Sequence, residues 1–236
     1  MAKEYKDYYI AFIDILGFKK IIGKKQCEEI CNIYESIKQF RTMRKEVKQG
    51  KETLLVPVVP PKDVHIKIMS DSVCIYIPAD AEGSLFLLSF MCADFQCRML
   101  KLDTPILLRG AITKGKLYFS GDILFGPGFV DAYLMEENNA SVPRIIINKA
   151  IIDEYKSLGN IFPDNMAFRD YDAFYSLEYI SLIGSLKREN KEYEELYRYI
   201  RMILDSTTDE SVRNKFLYLE SKVLPYLNKK IVKSNN

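Results

Sequence analysis

The chain has 236 residues, 48% hydrophobic, 12% aromatic and 28% charged, a balance that excludes disordered, collagen-like and low-complexity scaffolds and suits one large domain or one domain with an extension. Its 34 Lys+Arg against 32 Asp+Glu leave a net charge of +2, too even for the basic face that a phosphate backbone demands, so nucleic acid is not an expected partner. The longest apolar stretch, near residues 85–91, is far below the roughly 20 residues of a membrane-spanning helix, and residues 1–7 hold no apolar signal core, which predicts a cytoplasmic protein with no membrane partner.

Residues 8–14, Tyr-Tyr-Ile-Ala-Phe-Ile-Asp, are apolar, aromatic and β-branched and stop at a carboxylate shortly before Gly17, the pattern of a buried strand running into a loop. A helix is expected next, over residues 26–47, where Cys27, Ile30, Cys31, Ile33, Tyr34, Ile37 and Phe40 recur at helical spacing and Arg41, Arg44, Lys45 and Lys48 gather at the end. The prolines of Val56-Pro-Val-Val-Pro-Pro predict a connection over 50–63. Residues 64–69 and 72–77 read as a hairpin meeting at Met69-Ser-Asp-Ser72, with Asp71 at the tip.

A second helix, 82–101, is apolar on nearly every side. Beyond it the pattern predicts a strand at 106–113, a partner strand or hairpin arm at 115–119, a helix at 126–138 and a strand at 144–147. A second section, 151–236, predicts a hairpin around 166–180, two charged amphipathic helices at 189–204 and 210–227, and a frayed tail from residue 229.

Five cysteines, Cys27, Cys31, Cys74, Cys92 and Cys97, include no C-x-x-C pair, which predicts reduced, buried thiols. His65 is the single histidine and there is no G-x-S-x-G elbow, so zinc clusters and Ser-His-Asp or Cys-His hydrolysis lose their support. His65 itself is assigned no role.

Two carboxylates stand out. Asp14 and Asp71 each follow an apolar strand and precede a turn, and if their strands pair the two acids meet. Such a pair can hold hard cations such as Mg²⁺ or Mn²⁺, which take carboxylate, carbonyl and water oxygens and leave positions for phosphate. Gly17 permits close approach of main chain to a ligand, and amides opening the next helix can receive an anion. Taken singly, Asp14 reads better as a helix cap and Asp71 as a turn former, and it is their pairing that shifts the reading. The glycine-rich Arg109-Gly-Ala-Ile-Thr-Lys-Gly115 and Phe125-Gly-Pro-Gly-Phe129 add to the pairing.

The ordered set Phe12-Ile-Asp-Ile-Leu-Gly-Phe18, Lys67-Ile-Met-Ser-Asp71, Arg109-Gly-Ala-Ile-x-x-Gly115 and Gly126-Pro-x-x-x-x-Ala132-x-x-x-Glu136 resembles the signature of class III nucleotidyl cyclases over roughly residues 8–150. The Ser-Asp-Ser, Gly-Pro and Ala-Tyr…Glu forms are most similar to the bacterial pyrimidine cyclases of Pycsar antiphage systems, which make cyclic UMP or cyclic CMP. The resemblance implies an α+β fold, a ferredoxin-like βαββαβ core over 1–150 with a C-terminal β-hairpin and helical extension over 151–236. It implies a head-to-tail homodimer with shared sites, acting on a nucleoside triphosphate and signalling to a separate effector protein activated by the cyclic nucleotide.

By the same match, Asp14 and Asp71 are the catalytic pair and hold two Mn²⁺ or Mg²⁺ ions with the carbonyl of Ile15. The Gly17 and Phe18 amides lie near the β- and γ-phosphates. Lys67 stands where purine-using relatives place a base-contacting lysine, though it reads equally as a solvent-facing strand residue; Arg109 matches a recurrent arginine of the motif, and Lys114 and Lys116 are triphosphate candidates by charge and location alone. The sequence departs from adenylyl cyclases at Val130 and Leu134, where those enzymes carry the asparagine and arginine that support the transition state, and at Ile123, where adenine-selective relatives carry an aspartate. The expected activity is therefore conversion of UTP, or CTP, to its 3′,5′-cyclic monophosphate and pyrophosphate. A catalytically silent nucleotide-binding or dimerisation module is the alternative, and a two-metal nuclease or polymerase-like enzyme a third.

Overall fold

The computed structural model describes residues 4–39, 43–49, 52–58, 63–183 and 191–233. Strand β1 (Lys6–Ile15) is the centre of the fold, and Tyr8 to Ile13 are buried on both faces, which explains why the strand reads as a continuous apolar run. Two five-residue-or-longer elements follow the turn after it: a short helix α1 (Phe18–Ile22) and helix α2 (Cys27–Gln39).

The structure departs from the sequence reading after residue 39. Instead of a helix to 47 and a connection, Met43–Gln49 forms strand β2 and Glu52–Val58 strand β3, a separate two-stranded antiparallel hairpin. The helical apolar spacing ends at Phe40, and pairing with β3, from Met43 opposite Val58 to Gln49 opposite Glu52, makes the next segment a strand. Pro57 is tolerated because each strand of a two-stranded ribbon has an outer edge where no donor is required.

Strands β4 (His65–Met69) and β5 (Ser72–Pro78) form the expected hairpin. Helix α3 (Ser84–Leu100) leads to β6 (Leu108–Ser120), and the main sheet takes the order β4-β5-β1-β6 before it is extended. β1 runs antiparallel to both β5 and β6. With α2 between β1 and β4 and α3 between β5 and β6, this is the βαββαβ arrangement. The fold is α+β.

β6 is one strand where the sequence suggests two. Its glycines serve close packing: a Cβ on Gly110 would stand 2.6 Å from the Phe12 carbonyl oxygen, and one on Gly115 2.6 Å from the Cα of Gly128. Gly128 lies in helix α4 (Pro127–Asn139), so Gly115 lets that helix rest on the sheet, where Thr113 Oγ1 donates to Gly128 O at 3.0 Å. Gly115→Ala should cost about 1–3 kcal/mol because the obstructing atoms are backbone. A fall in Tm of about 5 °C by calorimetry is the expected reading.

The short strand β7 (Ile123–Phe125) folds back on β6, and β8 (Ile145–Ile147) joins β6 in parallel after α4. Helix α5 (Lys149–Ser157), absent from the sequence reading, is capped by Asn148, whose side chain accepts from the Ala150 N–H at 3.0 Å. Strands β9 (Ala167–Arg169) and β10 (Tyr175–Leu177) then continue the same sheet as β8-β10-β9, making eight strands with β7. A 3₁₀ turn at Ile180–Leu182 precedes helices α6 (Lys191–Ser206) and α7 (Glu210–Lys233). α7 carries the chain regularly through most of the tail expected to fray.

Three layers result. α2, α3 and α5 cover one face of the sheet through Tyr9, Ile13, Leu88, Phe95 and Tyr155, and α4 covers the other around Ile10, Phe12, Tyr76 and Ala132. The far side of α3 (Ala93, Cys97, Leu100) is roofed by Leu196, Ile200 and Leu204 of α6 and Phe216, Leu219 and Val223 of α7. That is why α3 is apolar nearly all round. Cys74, Cys92 and Cys97 are buried as expected, whereas Cys27 and Cys31, on the outer side of α2, are exposed. Among the described residues no helix is long and apolar enough to cross a membrane.

Candidate active site

β1 and β5 are paired with Asp14 opposite Ser72, so Asp14 and the Ser70-Asp71 turn lie side by side. The Ile15 N–H donates to the Asp71 carbonyl oxygen at 2.9 Å, which fastens the end of β1 to the hairpin tip. The two carboxylates that the sequence places 57 positions apart are thus neighbours. Tyr34 of α2 reaches the same tip, its hydroxyl donating to Ser70 O at 2.5 Å.

Asp14 does not cap α1, whose N-cap residue is Gly17, held in the left-handed region at φ 75°. Its carboxylate instead accepts from Arg109 Nε at 3.2 Å, as the register dictates: Asp14 and Arg109 are directly opposed on β1 and β6 and point to the α4 face. The same Nε lies 2.7 Å from Glu136 Oε1 of α4, whose side chain is only 3% exposed. Because the N–H is aimed at Asp14, Glu136 Oε1 has the charge of Arg109 beside it without a hydrogen bond. Burial, reinforced by the charges of Asp14 and Asp71 and opposed by Arg109, pushes the Glu136 carboxyl up to about 7. Burial also pushes Asp14 above its ordinary value, with Arg109 pulling down and Asp71 pushing up.

Two carboxylates close enough for the charge of Asp71 to act on Asp14 are hard oxygen donors of the kind Mg²⁺ and Mn²⁺ accept. The residues present fit such ions. Among the described residues no cluster of three or more His, Cys, Asp or Glu side chains could hold a metal.

Lys67, on the same face of the sheet, donates to Gly121 O at 2.7 Å and stands 3.8 Å from Asp122 Oδ1, both in the β6–β7 turn. Asp122 is therefore the acidic neighbour of Lys67, while Ile123 is 59% exposed. The close β6–β7 turn supplies the contact. Val130 and Leu134 are exposed on α4 together with Tyr133. Lys114 lies on the opposite face of the sheet from Asp14, bonded to Glu154 of α5 at 2.6 Å and placed over the Tyr9 ring, which removes it from the triphosphate candidates. His65 is packed against Tyr76 and Phe119.

No protein-family model and no curated protein matches the chain significantly. Solved structures do match. The monomeric guanylyl cyclase domain of the RhoGC fusion protein from the aquatic fungus Blastocladiella emersonii superposes with a TM-score of 0.51 at 15% identity, over 75% of this chain and 96% of that domain. An adenylate/guanylate cyclase/hydrolase from Silicibacter pomeroyi follows at TM-score 0.44, 13% identity and coverages of 74% and 96%. A bacterial light-regulated adenylyl cyclase gives 0.43, 12%, and 83% and 98%. The chain shares the α+β fold of the first of these domains.

Proposed function

We propose that this chain is a metal-dependent nucleotidyl cyclase, closing a nucleoside triphosphate to its 3′,5′-cyclic monophosphate and releasing pyrophosphate. The observation that carries the reading is the meeting of Asp14 and Asp71 across the Ile15 N–H to Asp71 O bond, on a fold shared with a guanylyl cyclase domain. Two Mn²⁺ or Mg²⁺ ions held by Asp14, Asp71 and the Ile15 carbonyl would supply acidification of the ribose 3′-OH and charge neutralisation on the departing pyrophosphate.

The protein's own groups set the geometry. Arg109 fixes the Asp14 carboxylate and is itself held by Glu136. The Gly17 and Phe18 amides receive the β- and γ-phosphates, and Lys67 with Asp122 lies toward the nucleobase. The 3′-hydroxyl gives its proton to solvent, its oxygen attacks the α-phosphorus, the bond to the oxygen bridging the α- and β-phosphorus breaks, and the electron pair leaves with pyrophosphate.

The substrate proposed is UTP, or CTP, and the product a second messenger of bacterial antiphage defence acting on a separate effector in the cytoplasm. The motif resemblance supports this, as does an isoleucine where adenine-selective relatives carry aspartate. A homodimer is also proposed: Val130, Tyr133 and Leu134, spaced on one face of α4, are each exposed by 40% or more and offer an apolar face to a second copy. Val130 and Leu134 equally motivate a second reading, a silent module that binds nucleotide without releasing pyrophosphate, since neither side chain donates a hydrogen bond.

The test is incubation of purified protein with Mn²⁺ and each ribonucleoside triphosphate in turn, with products resolved by chromatography and mass. Cyclic UMP or cyclic CMP is expected. Cyclic AMP or cyclic GMP would overturn the pyrimidine assignment and retain the cyclase, and nucleotide binding with no product from any triphosphate would favour the silent module.

A further inference from the structure

The turn that carries Asp71 contains Ser70 at φ 54°, the one non-glycine residue with positive φ among those described. A serine there is strained relative to glycine, so the contact that holds its peptide governs where the next side chain points. Tyr34 makes that contact, its hydroxyl donating to Ser70 O at 2.5 Å across 36 positions of sequence. The Tyr34 ring also meets Phe18 edge-on with centroids 6.4 Å apart, and Phe18 opens α1 directly after Gly17.

One side chain from α2 therefore touches both segments assigned above to metal and phosphate. We propose that Tyr34 is a positioning residue for the site, its hydroxyl setting the Asp71 carboxylate relative to Asp14 while its ring seats Phe18. It acts through Asp71 and touches neither substrate nor metal. The inference rests on the cyclase reading of Asp71. Burial, and after it the Asp71 charge, pushes the Tyr34 phenol above its ordinary value, so it stays a neutral donor at physiological pH.

Tyr34→Phe removes the hydroxyl and keeps the ring contact. The experiment measures Mn²⁺ binding by electron paramagnetic resonance for the unaltered protein, Tyr34→Phe and Asp71→Asn, with the metal alone as probe. Mn²⁺-dependent turnover and the thermal midpoint are measured alongside. The expected result is Mn²⁺ binding that Asp71→Asn removes and that Tyr34→Phe weakens about three- to tenfold, the factor one neutral hydrogen bond is worth. The Mn²⁺ concentration for half-maximal turnover should rise by the same factor, with the midpoint within about 2 °C.

Asp71-dependent binding that Tyr34→Phe leaves unchanged overturns the role of Tyr34 and keeps the cyclase reading. A weaker affinity accompanied by a large fall in the midpoint also overturns it, as a structural contact only. Mn²⁺ binding that does not depend on Asp71 overturns the cyclase reading of that residue, and the inference with it.

Discussion

Asp71→Asn should lower turnover by on the order of 10³-fold, the scale on which one preorganised charge-stabilising group acts, with the fold intact. The contacts that shape the hairpin tip are backbone ones: the Asp71 carbonyl accepts from Ile15 and the Ser70 carbonyl from Tyr34. An asparagine keeps both and removes only the charge. Asp14→Asn should act as strongly, since Arg109 can still donate to the amide oxygen while the negative charge beside Asp71 is gone. Steady-state cyclisation across a Mn²⁺ series, with a calorimetric Tm for each variant, checks this. Full activity in both variants would remove the metal assignment.

The largest expected loss of stability lies elsewhere, at Arg144. Its side chain is 1% exposed, and its guanidinium donates to Asp170 at 3.1 Å, to both oxygens of Asp172, and to Asn139 O at the end of α4 at 2.9 Å. Tyr171 stacks beneath it at 4.8 Å. Asp170, 4% exposed, accepts in addition from Ser176 at 2.8 Å, from Tyr218 at 2.7 Å and from Lys222 at 3.2 Å, the last two on α7. This network ties α4, the β9–β10 strands and α7 together. Arg144→Leu removes the cation shared by Asp170 and Asp172 and leaves only Lys222 on Asp170, and should cost about 3–5 kcal/mol, read from the midpoint of urea unfolding. A loss below about 1 kcal/mol would show that Lys222 alone suffices.

The same network predicts an acid response. Burial alone would raise the Asp170 carboxyl, but the hydrogen bonds from Tyr218 and Ser176 and the charge of Lys222 outweigh it and hold it down at about 2. A carboxyl that is more acidic folded than unfolded adds stability above its unfolded value near 4, and loses it as the pH falls toward 2. The contribution is about 2 kcal/mol, so Asp170→Asn should flatten the decline in stability between pH 4 and pH 2.

Much of this molecule is written locally. The β4–β5 hairpin is visible because β-type runs flank a Ser-Asp turn, and β1 because its apolar run halts at Asp14 and Gly17. The β2–β3 hairpin is hidden, because the helical spacing of α2 runs to Phe40 without a glycine or proline to stop it and Pro57 argues against a strand. α5 shows only in Asn148, a cap that is easily read as part of a loop. The chemistry of the site is less legible than its acids. The motif order holds Asp14, Arg109 and Glu136 but not their contact, which the β1–β6 register makes across 95 positions, and Tyr34 arrives from a separate helix that no motif marks. Asp122 reaches Lys67 only through the tightness of the β6–β7 turn.

The two-sided burial of α3 bears on ancestry. Its inner flank belongs to the sheet that carries Asp14, and its outer flank, Ala93, Cys97 and Leu100, belongs to α6 and α7. A shared helix of this kind makes the C-terminal helices poor material for shuffling. A kindred chain that lacked them would need polar residues at those three positions and at Leu107, and a chain that acquired a different roof would need to reshape it around the same helix. The composition of α3 is therefore a mark, readable in any relative, of whether a third layer is present.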